Sequence, residues 1–303
     1  MHDVAAVVVA HNAEKALPRC IASLRDHAGG CRLAIVVVDS GSTDETAQMA
    51  DGLDVQVLRC PNIGYGAGNN IGWRMAGTAR YLLILNPDAT LTAGNLEDVV
   101  AHADSHPQVG VLAPRVLDHR GQPVPSVAPF ETASGALLDR LVGRSIGSRY
   151  QVVDKARLFA GWAIGCALFI RAECFDSVAG FDEQFFLYAE ERDLLRRTHD
   201  FGWLHQTHPE FEVCHSASMS PLDVALFAQR FRADLYYARK WGGPGAVLAI
   251  RIGLAIELLR RMILIGRDEW TVSYLWALRV LLSERVHANP SRARVVQRMR
   301  TLP

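Results

Sequence analysis

Three aliphatic runs without polar alternation, Val4–Ala10, Leu33–Asp39 and Tyr81–Asn86, constrain this chain more than any other feature. A strand with one wet face alternates apolar and polar side chains. Unbroken Val, Ile and Leu therefore describe strands covered on both faces, the pattern of a parallel sheet between helix layers. Helix-like stretches fill the gaps at Glu14–His27, Thr43–Ala50, Ala67–Ala76 and Asn95–His106, with a shorter strand-like run at Val55–Leu58. Residues 1–113 thus read as the alternating strands and helices of an α/β fold.

Beyond that half the pattern changes. Pro114, Pro123, Pro125 and Pro129, with several glycines, break any period across residues 114–160, which read as loop-rich ground covering a site. A strand-like run, Cys166–Arg171, follows Gly161–Gly165, and a charged helix starts at Glu190. Between Leu222 and Trp241, the residues Phe227, Phe231, Leu235 and Ala238 fall on one helical stripe. The stretch Ala246–Ile265 is apolar except for Arg251, Glu257, Arg260 and Arg261. Its length would cross a bilayer, but each charge near its middle opposes insertion by about 3 kcal/mol, so an interfacial or partner-covered helix is expected. The expected division is a catalytic domain over residues 1–220, with halves meeting near residue 113, and a helical region over 221–303 that associates with a membrane.

The chain has 303 residues, 50% of them apolar, enough for one large core plus an appendage. Its 32 Lys and Arg balance 32 Asp and Glu, which removes the excess positive charge of a nucleic-acid binder, so no nucleic-acid partner is expected. None of the six cysteines forms a Cys-x-x-Cys pair, and they read as buried thiols of a cytosolic protein. The opening MHDVAAVVVAHN lacks a basic leader region and a small-residue cleavage site, and reads as a buried strand.

Chemistry gathers where the apolar runs end. Asp39 closes the second run and is followed by Ser40-Gly-Ser-Thr-Asp44, a turn whose Ser42 or Thr43 suits a helix cap. In open α/β sheets ligands bind beyond the carboxyl ends of strands, so Asp39 is placed to accept hydrogen bonds from a base or ribose, or else to cap its own turn. In Asn62-Ile-Gly-Tyr-Gly-Ala-Gly-Asn-Asn70, three glycines permit close backbone approach to a ligand, though a plain turn fits equally well. Asp88 ends the third run on the same sheet edge as Asp39. Two carboxylates beside such a loop suit a hard cation bridging phosphates.

Taken in order, VVVAHN, VVDSGSTDET, NIGYGAGNN, LLILNPDA, GWAIGCALFIRAECFDSVAGFDEQFFLYAEERDL and the later Val213-Cys214-His215 resemble the landmarks of family 2 glycosyltransferases of GT-A fold. The likeness is greatest to their bacterial rhamnosyltransferase-like branch and covers residues 4–240. It implies an α/β GT-A fold, a Rossmann-like nucleotide-diphospho-sugar transferase, with a C-terminal helical appendage. Carried over by position, it implies that Asn12 and Asp39 hold the nucleotide and that Asn62, Gly64, Asn69 and Asn70 line the same pocket. Asp88 takes the last acidic position of a D-x-D-like metal motif, written here Asn86-Pro87-Asp88 with one carboxylate, and the implied cofactor is Mg²⁺ or Mn²⁺. His215 matches a downstream histidine that reaches the metal or the diphosphate. Glu191 matches the second member of the family's Glu-Asp pair, the general base, with one extra methylene and with Asp193 as competitor. Glu190 and Trp162 fall on the acceptor side; helix-start electrostatics and core packing are the plainer readings of Glu190 and Trp162 respectively.

The implied reaction is inverting transfer of one sugar from an NDP-sugar to a cell-envelope glycan or lipid-linked acceptor, in the cytoplasm at the inner face of the membrane. The branch implies rhamnose and leaves UDP- and GDP-sugars open. Two rivals are a catalytically degenerate binding scaffold and a sugar-phosphate nucleotidyltransferase. The latter would want a glycine-rich loop after the first strand, where this chain has Ala10-His-Asn-Ala-Glu-Lys15.

Overall fold

The computed structural model describes residues 1–130, 150–215 and 224–264; the expected loop ground at 131–149 and everything after Leu264 lie outside the described residues. These residues divide into two compact units. The first comprises Met1–Pro129, Tyr150–Asp182 and Glu191–Ser218.

Its centre is a sheet ordered β3 (Gln56–Cys60), β2 (Leu33–Ser40), β1 (His2–Ala10), β4 (Ala79–Leu85), β10 (Ala167–Arg171), β6 (Val109–Leu117), β11 (Leu204–His215) and β5 (Ala89–Ala93), with β8 (Arg157–Phe159) also paired to β11. The three apolar runs become β1 (His2–Ala10), β2 (Leu33–Ser40) and β4 (Ala79–Leu85), and β3 (Gln56–Cys60) completes a parallel quartet. Residues Val4–Ala10 are all buried, as double-sided coverage requires. Helix α1 (Leu17–Asp26) has a proline in its first turn and buries Leu17, Cys20, Ile21 and Leu24, one stripe at helical spacing. The short α2 (Thr46–Asp51) follows β2. Helix α3 (Tyr65–Ala76) covers the opposite stretch of β1 and β2, while α4 (Leu96–Ser105) starts at an Asn95 cap that accepts from the Asp98 amide at 2.8 Å.

The second half mixes directions. The strands β5 (Ala89–Ala93), β6 (Val109–Leu117) and β10 (Ala167–Arg171) join β11 (Leu204–His215), which runs parallel to β6 and antiparallel to β5. Pro114 was read as a breaker, yet it sits inside β6. Its partner is His208, and the next pair is Arg115 with Glu212, so β11 bulges at the point where proline lacks a ladder donor. Short strands β7 (Val127–Pro129), β8 (Arg157–Phe159) and β9 (Gly161–Ala163) order the described part of the expected loop ground, followed by helix α5 (Ala172–Ser177) and helix α6 (Glu190–Phe201).

The second unit comprises Phe130–Arg149, Glu183–Glu190 and Met219–Pro303, so Glu183–Glu190 groups with the C-terminal helices. Its described helix, α7 (Val224–Leu264), breaks at Gly243, whose φ of 68° and ψ of −167° belong to glycine, with Pro244 next. Arg230 and Glu257 pair at 3.5 Å, although a straight helix would hold them roughly 40 Å apart. The two arms therefore fold back as an αα-hairpin. Buried Phe231, Leu235 and Ala238 on the first arm and Ala246, Ile250, Leu254 and Leu258 on the second form the stripes expected of such a pair. The 229–259 stretch has the length and mean hydropathy of a membrane span, but the break at Gly243 denies it a single continuous axis.

Candidate active site

The carboxyl edge of β1, β2 and β3 is knitted by loop-to-loop hydrogen bonds. Asp39 lies opposite Ala10 of β1 and Arg59 of β3 and is 6% exposed; its Oδ1 accepts from the Ser42 amide at 3.2 Å, so one oxygen shapes the turn. The turn closes at Gly41 (φ 68°), where a Cβ would stand 2.9 Å from the Asn62 amide nitrogen, so the loops after β2 and β3 touch. Asn62 Oδ1 accepts from the Gly64 amide at 3.2 Å and from Ser40 Oγ at 3.4 Å. Asn12 adopts left-handed backbone (φ 53°), donates its amide to Ser42 Oγ at 3.0 Å, and accepts from the Thr43 amide at 2.8 Å. Asn12, Asp39, Asn62 and Gly64 thereby share one rim.

The Gly/Asn segment does something other than approach a ligand along its length. Gly64 (φ 94°) is the residue before α3, but Gly66, Gly68 and Gly72 lie within the helix, where side chains would collide with Phe181, Val9 and Val7. At Gly72 the clash would be 2.4 Å to Val7 Cγ1, so these glycines let α3 sink onto the sheet. Asn70 is buried and engages the Phe181 backbone twice, donating to its carbonyl and accepting from its amide at 2.9 Å each. Asn69, fully buried, donates to the Tyr65 carbonyl at 3.0 Å, and its Oδ1 has no hydrogen-bond partner among the described residues. Both asparagines sit inside the helix packing, bonded to the Tyr65 and Phe181 backbone.

Asp88 follows β4 in the tight turn into β5, where the Ala89 amide donates to the Asn86 carbonyl. The β5–β11 register places His215 opposite Ala89, one residue past Asp88. His215 Nε2 lies 3.2 Å from Asp88 Oδ1 and 3.3 Å from Asn86 Nδ2. Burial pushes the Asp88 carboxyl up, but the hydrogen bond and charge of His215 more than cancel this, holding it below the ordinary carboxylate range. Among the described residues no group of three or more His, Cys, Asp or Glu side chains could hold a metal ion. One carboxylate and one imidazole nevertheless fit a divalent cation that takes its remaining ligands from water and substrate phosphate.

Glu191, half-buried, is the second residue of α6. Gly165 lies against it: a Cβ there would stand 3.4 Å from Glu191 Cβ and 3.8 Å from Cδ. The Tyr65 hydroxyl fixes this loop by donating to the Gly165 carbonyl at 2.9 Å. Next to Gly165, the buried Cys166 thiol is pushed up to about 12, by burial first and then by the charges of Asp88 and Glu191, so both carboxylates act on one point. Asp193 is different. It is fully buried and accepts from Arg197 Nε at 2.8 Å, while Arg197 Nη1 donates to the Val178 and Gly180 carbonyls at 2.7 Å each. Trp162 is 4% exposed, with the Arg192 guanidinium over its ring and Tyr150 at its edge. Glu190 is buried at the first position of α6.

Sequence reasoning missed Tyr65, Gly165 and Cys166. Tyr65 stood inside a segment read for its glycines, and nothing in its spacing pointed a hundred residues along the chain to Gly165.

Residues 5–129 match the sequence pattern of the family described as glycosyl transferase family 2. An N-acetylglucosaminyl-diphospho-decaprenol L-rhamnosyltransferase of Mycobacterium tuberculosis is 30% identical over 242 residues, 73% of this chain and 78% of the relative. Among solved structures, Staphylococcus aureus TarS 1–349 in complex with UDP-GlcNAc superposes with a TM-score of 0.53 at 16% identity, covering 97% of this chain and 83% of that one. The mannosyltransferase PcManGT of Pyrobaculum calidifontis, in complex with GDP-Man and Mn²⁺, gives 0.54 at 16% identity, covering 94% and 88%. The two structures share the fold.

Proposed function

The chain belongs to glycosyl transferase family 2 and is a glycosyltransferase of GT-A fold, and we propose that it transfers rhamnose, with inversion, from dTDP-rhamnose to a prenyl-diphosphate-linked glycan. The observation that carries the reading is the Asp88–His215 pair set by strand register beside a separate carboxylate, Glu191, against Gly165. The rhamnosyl donor and lipid-linked acceptor rest on the curated relative, whose name specifies both a rhamnosyl group and a decaprenol-linked N-acetylglucosamine.

In this mechanism Asp39 accepts hydrogen bonds from the base or ribose, and Asn12, Asn62 and Gly64 shape the rim around it. Asn69 and Asn70 act as positioning residues through Tyr65 and Phe181. Asp88 and His215 would hold Mg²⁺ or Mn²⁺, which would supply charge neutralisation to the leaving diphosphate. Glu191 accepts the proton of the acceptor hydroxyl as its oxygen attacks C1 from the face opposite the diphosphate. Trp162 and Glu190 bound the acceptor side.

The enzyme works at the inner membrane face, where its acceptor lies. On the second arm of α7, Leu248, Ile252, Ala255 and Leu259 are exposed at helical spacing, and they form the face that meets lipid. Flotation with anionic liposomes checks this: L248E/I252E should release a protein that wild type retains, and equal flotation refutes it.

Transfer itself is tested by calorimetric binding of dTDP-rhamnose, UDP-GlcNAc and GDP-mannose with and without Mn²⁺, followed by single-turnover transfer. Glu191→Gln should lower turnover about 10²–10⁴-fold with donor affinity nearly unchanged, and Glu191→Asp should keep partial activity. Wild-type turnover in Glu191→Gln would overturn the assignment of the base.

A further inference from the structure

Between β9 and β10 the chain crosses from the small two-stranded sheet to the large one in three residues, Ile164, Gly165 and Cys166. Each is anchored from a different element. The Ile164 amide donates to the Ser126 carbonyl at 2.9 Å, next to β7, and the Cys166 carbonyl accepts from the Asn86 amide at 2.8 Å, in the turn that carries Asp88. Those two bonds join backbone to backbone and need no particular side chain. The Gly165 carbonyl instead accepts from the Tyr65 hydroxyl at 2.9 Å, a hundred residues away in sequence. Glycine backbone pivots more readily than any other, so this middle bond, dependent on one hydroxyl, decides how firmly the connector is fixed.

Tyr65 is itself held in place. It is the first residue of α3, directly after Gly64 of the rim, and its carbonyl accepts from Asn69 Nδ2 at 3.0 Å. Its ring meets the Phe181 ring edge-on, with centroids 6.4 Å apart. Glu191 stands against the connector: a Cβ at Gly165 would lie 3.4 Å from Glu191 Cβ, 3.5 Å from Cγ and 3.8 Å from Cδ, so the stem of the acid runs along the Gly165 backbone. Tyr65, Gly165 and Glu191 all belong to the first unit.

We propose that Tyr65 is a positioning residue that ties the donor rim to the base: by pinning the Gly165 carbonyl, its hydroxyl fixes the wall against which the Glu191 carboxylate is set. This rests on the reading of Glu191 as base. Tyr65 follows Gly64 without a break, so the start of α3, the connector and the base share one link made by a single side chain. Phenylalanine at this position would keep the ring contact with Phe181 and lose the link. Gly165 is the second positioning residue, because its bare backbone lets the Glu191 stem approach; neither residue is argued to touch the sugar.

The test uses the full chain and three variants: Tyr65→Phe, Glu191→Gln and the two combined. Native-state hydrogen exchange of the Asn86 amide, which is bonded to the Cys166 carbonyl, reports on the connector without any substrate. Single-turnover transfer from dTDP-rhamnose to a prenyl-diphosphate-linked N-acetylglucosamine, and calorimetric dTDP-rhamnose affinity, are read beside it. Tyr65→Phe should speed Asn86 exchange and lower turnover about tenfold, with donor affinity within about twofold of wild type, the pattern of a misplaced reacting group. In the Glu191→Gln background the same change should lower turnover no further, because its effect runs through the carboxylate. A hydroxyl serving stability alone would cost the same factor in both backgrounds. Unchanged Asn86 exchange, wild-type turnover in Tyr65→Phe, or equal losses in the two backgrounds each overturns the proposal. Wild-type turnover in Glu191→Gln instead overturns the base assignment on which it rests.

Discussion

His205 makes a pH dependence that can be worked from the structure. It lies in β11, 1% exposed, with Nδ1 3.1 Å from the Gly161 carbonyl and Nε2 2.9 Å from Thr198 Oγ1. It therefore ties α6, the helix that carries Glu191, to the strand that carries Trp162. Burial pushes its imidazole down to about 4; the Gly161 carbonyl opposes that and the neighbouring His199 reinforces it. In the unfolded chain the same ring titrates at the ordinary 6.5. Between those values the unfolded state binds the proton and the folded state does not. The stabilisation is thus fully present above pH 6.5 and is lost as pH falls toward 4. At about 1.4 kcal/mol per pH unit the loss is about 3 kcal/mol, a large share of a typical domain's stability. Carboxylates protonate in the same window, so the assay is a comparison: urea unfolding of wild type and His205→Gln at pH 7, 6, 5 and 4.5. The variant should be less stable at pH 7 and lose less on acidification. Parallel curves would refute the reasoning.

Three further outcomes are expected. Asp88→Asn should abolish the Mn²⁺ dependence of donor affinity, whereas Asp39→Asn should weaken affinity about tenfold with and without Mn²⁺, the loss of one charged hydrogen bond; calorimetry distinguishes them. Asp193→Asn leaves the Arg197 charge without its buried partner and should destabilise the fold by about 3 kcal/mol in urea titration, while the folded fraction still transfers sugar. Gly72→Ala would place a methyl 2.4 Å from Val7 Cγ1 and should destabilise by about 1–3 kcal/mol, read from the same titration.

The β1–β4 half was legible because its strands are covered on both faces, and continuous Val, Ile and Leu survive any change of detail. The carboxylates at their tips followed from chain direction alone. Strand β11 stayed hidden because His205, Gln206, Thr207, His208, Glu210 and Glu212 carry hydrogen bonds and ion pairs where an apolar pattern would have announced a strand. That is why His215 was placed by resemblance and its contact with Asp88 only by register. Gly66 and Gly68 were read as approaching a ligand and instead meet Phe181 and Val9, because glycine reports closeness without naming what comes close. Which side of one helix turn faces the protein is not legible in the spacing of Glu191 and Asp193; the structure buries Asp193 against Arg197 and leaves Glu191 half-buried, which supports Glu191 as the proposed base.

The strand order has a consequence for how the chain is made. Strands β1 to β4 pair among themselves, so this quartet has its partners as soon as Leu85 has left the ribosome. Strand β6 does not. Its neighbour β10 joins Ala167 to Leu85 and Phe169 to Leu112, and its other neighbour is β11. Until those strands are synthesised, β4 and β6 each present bare edges, the condition under which nascent chains pair wrongly with one another. Completion of the sheet is a late, long-range closure, slower than formation of the quartet. Synthesis thus completes the β1–β4 quartet well before the rest of the sheet, and the interval between them is when the open edges of β4 and β6 are exposed to wrong pairing.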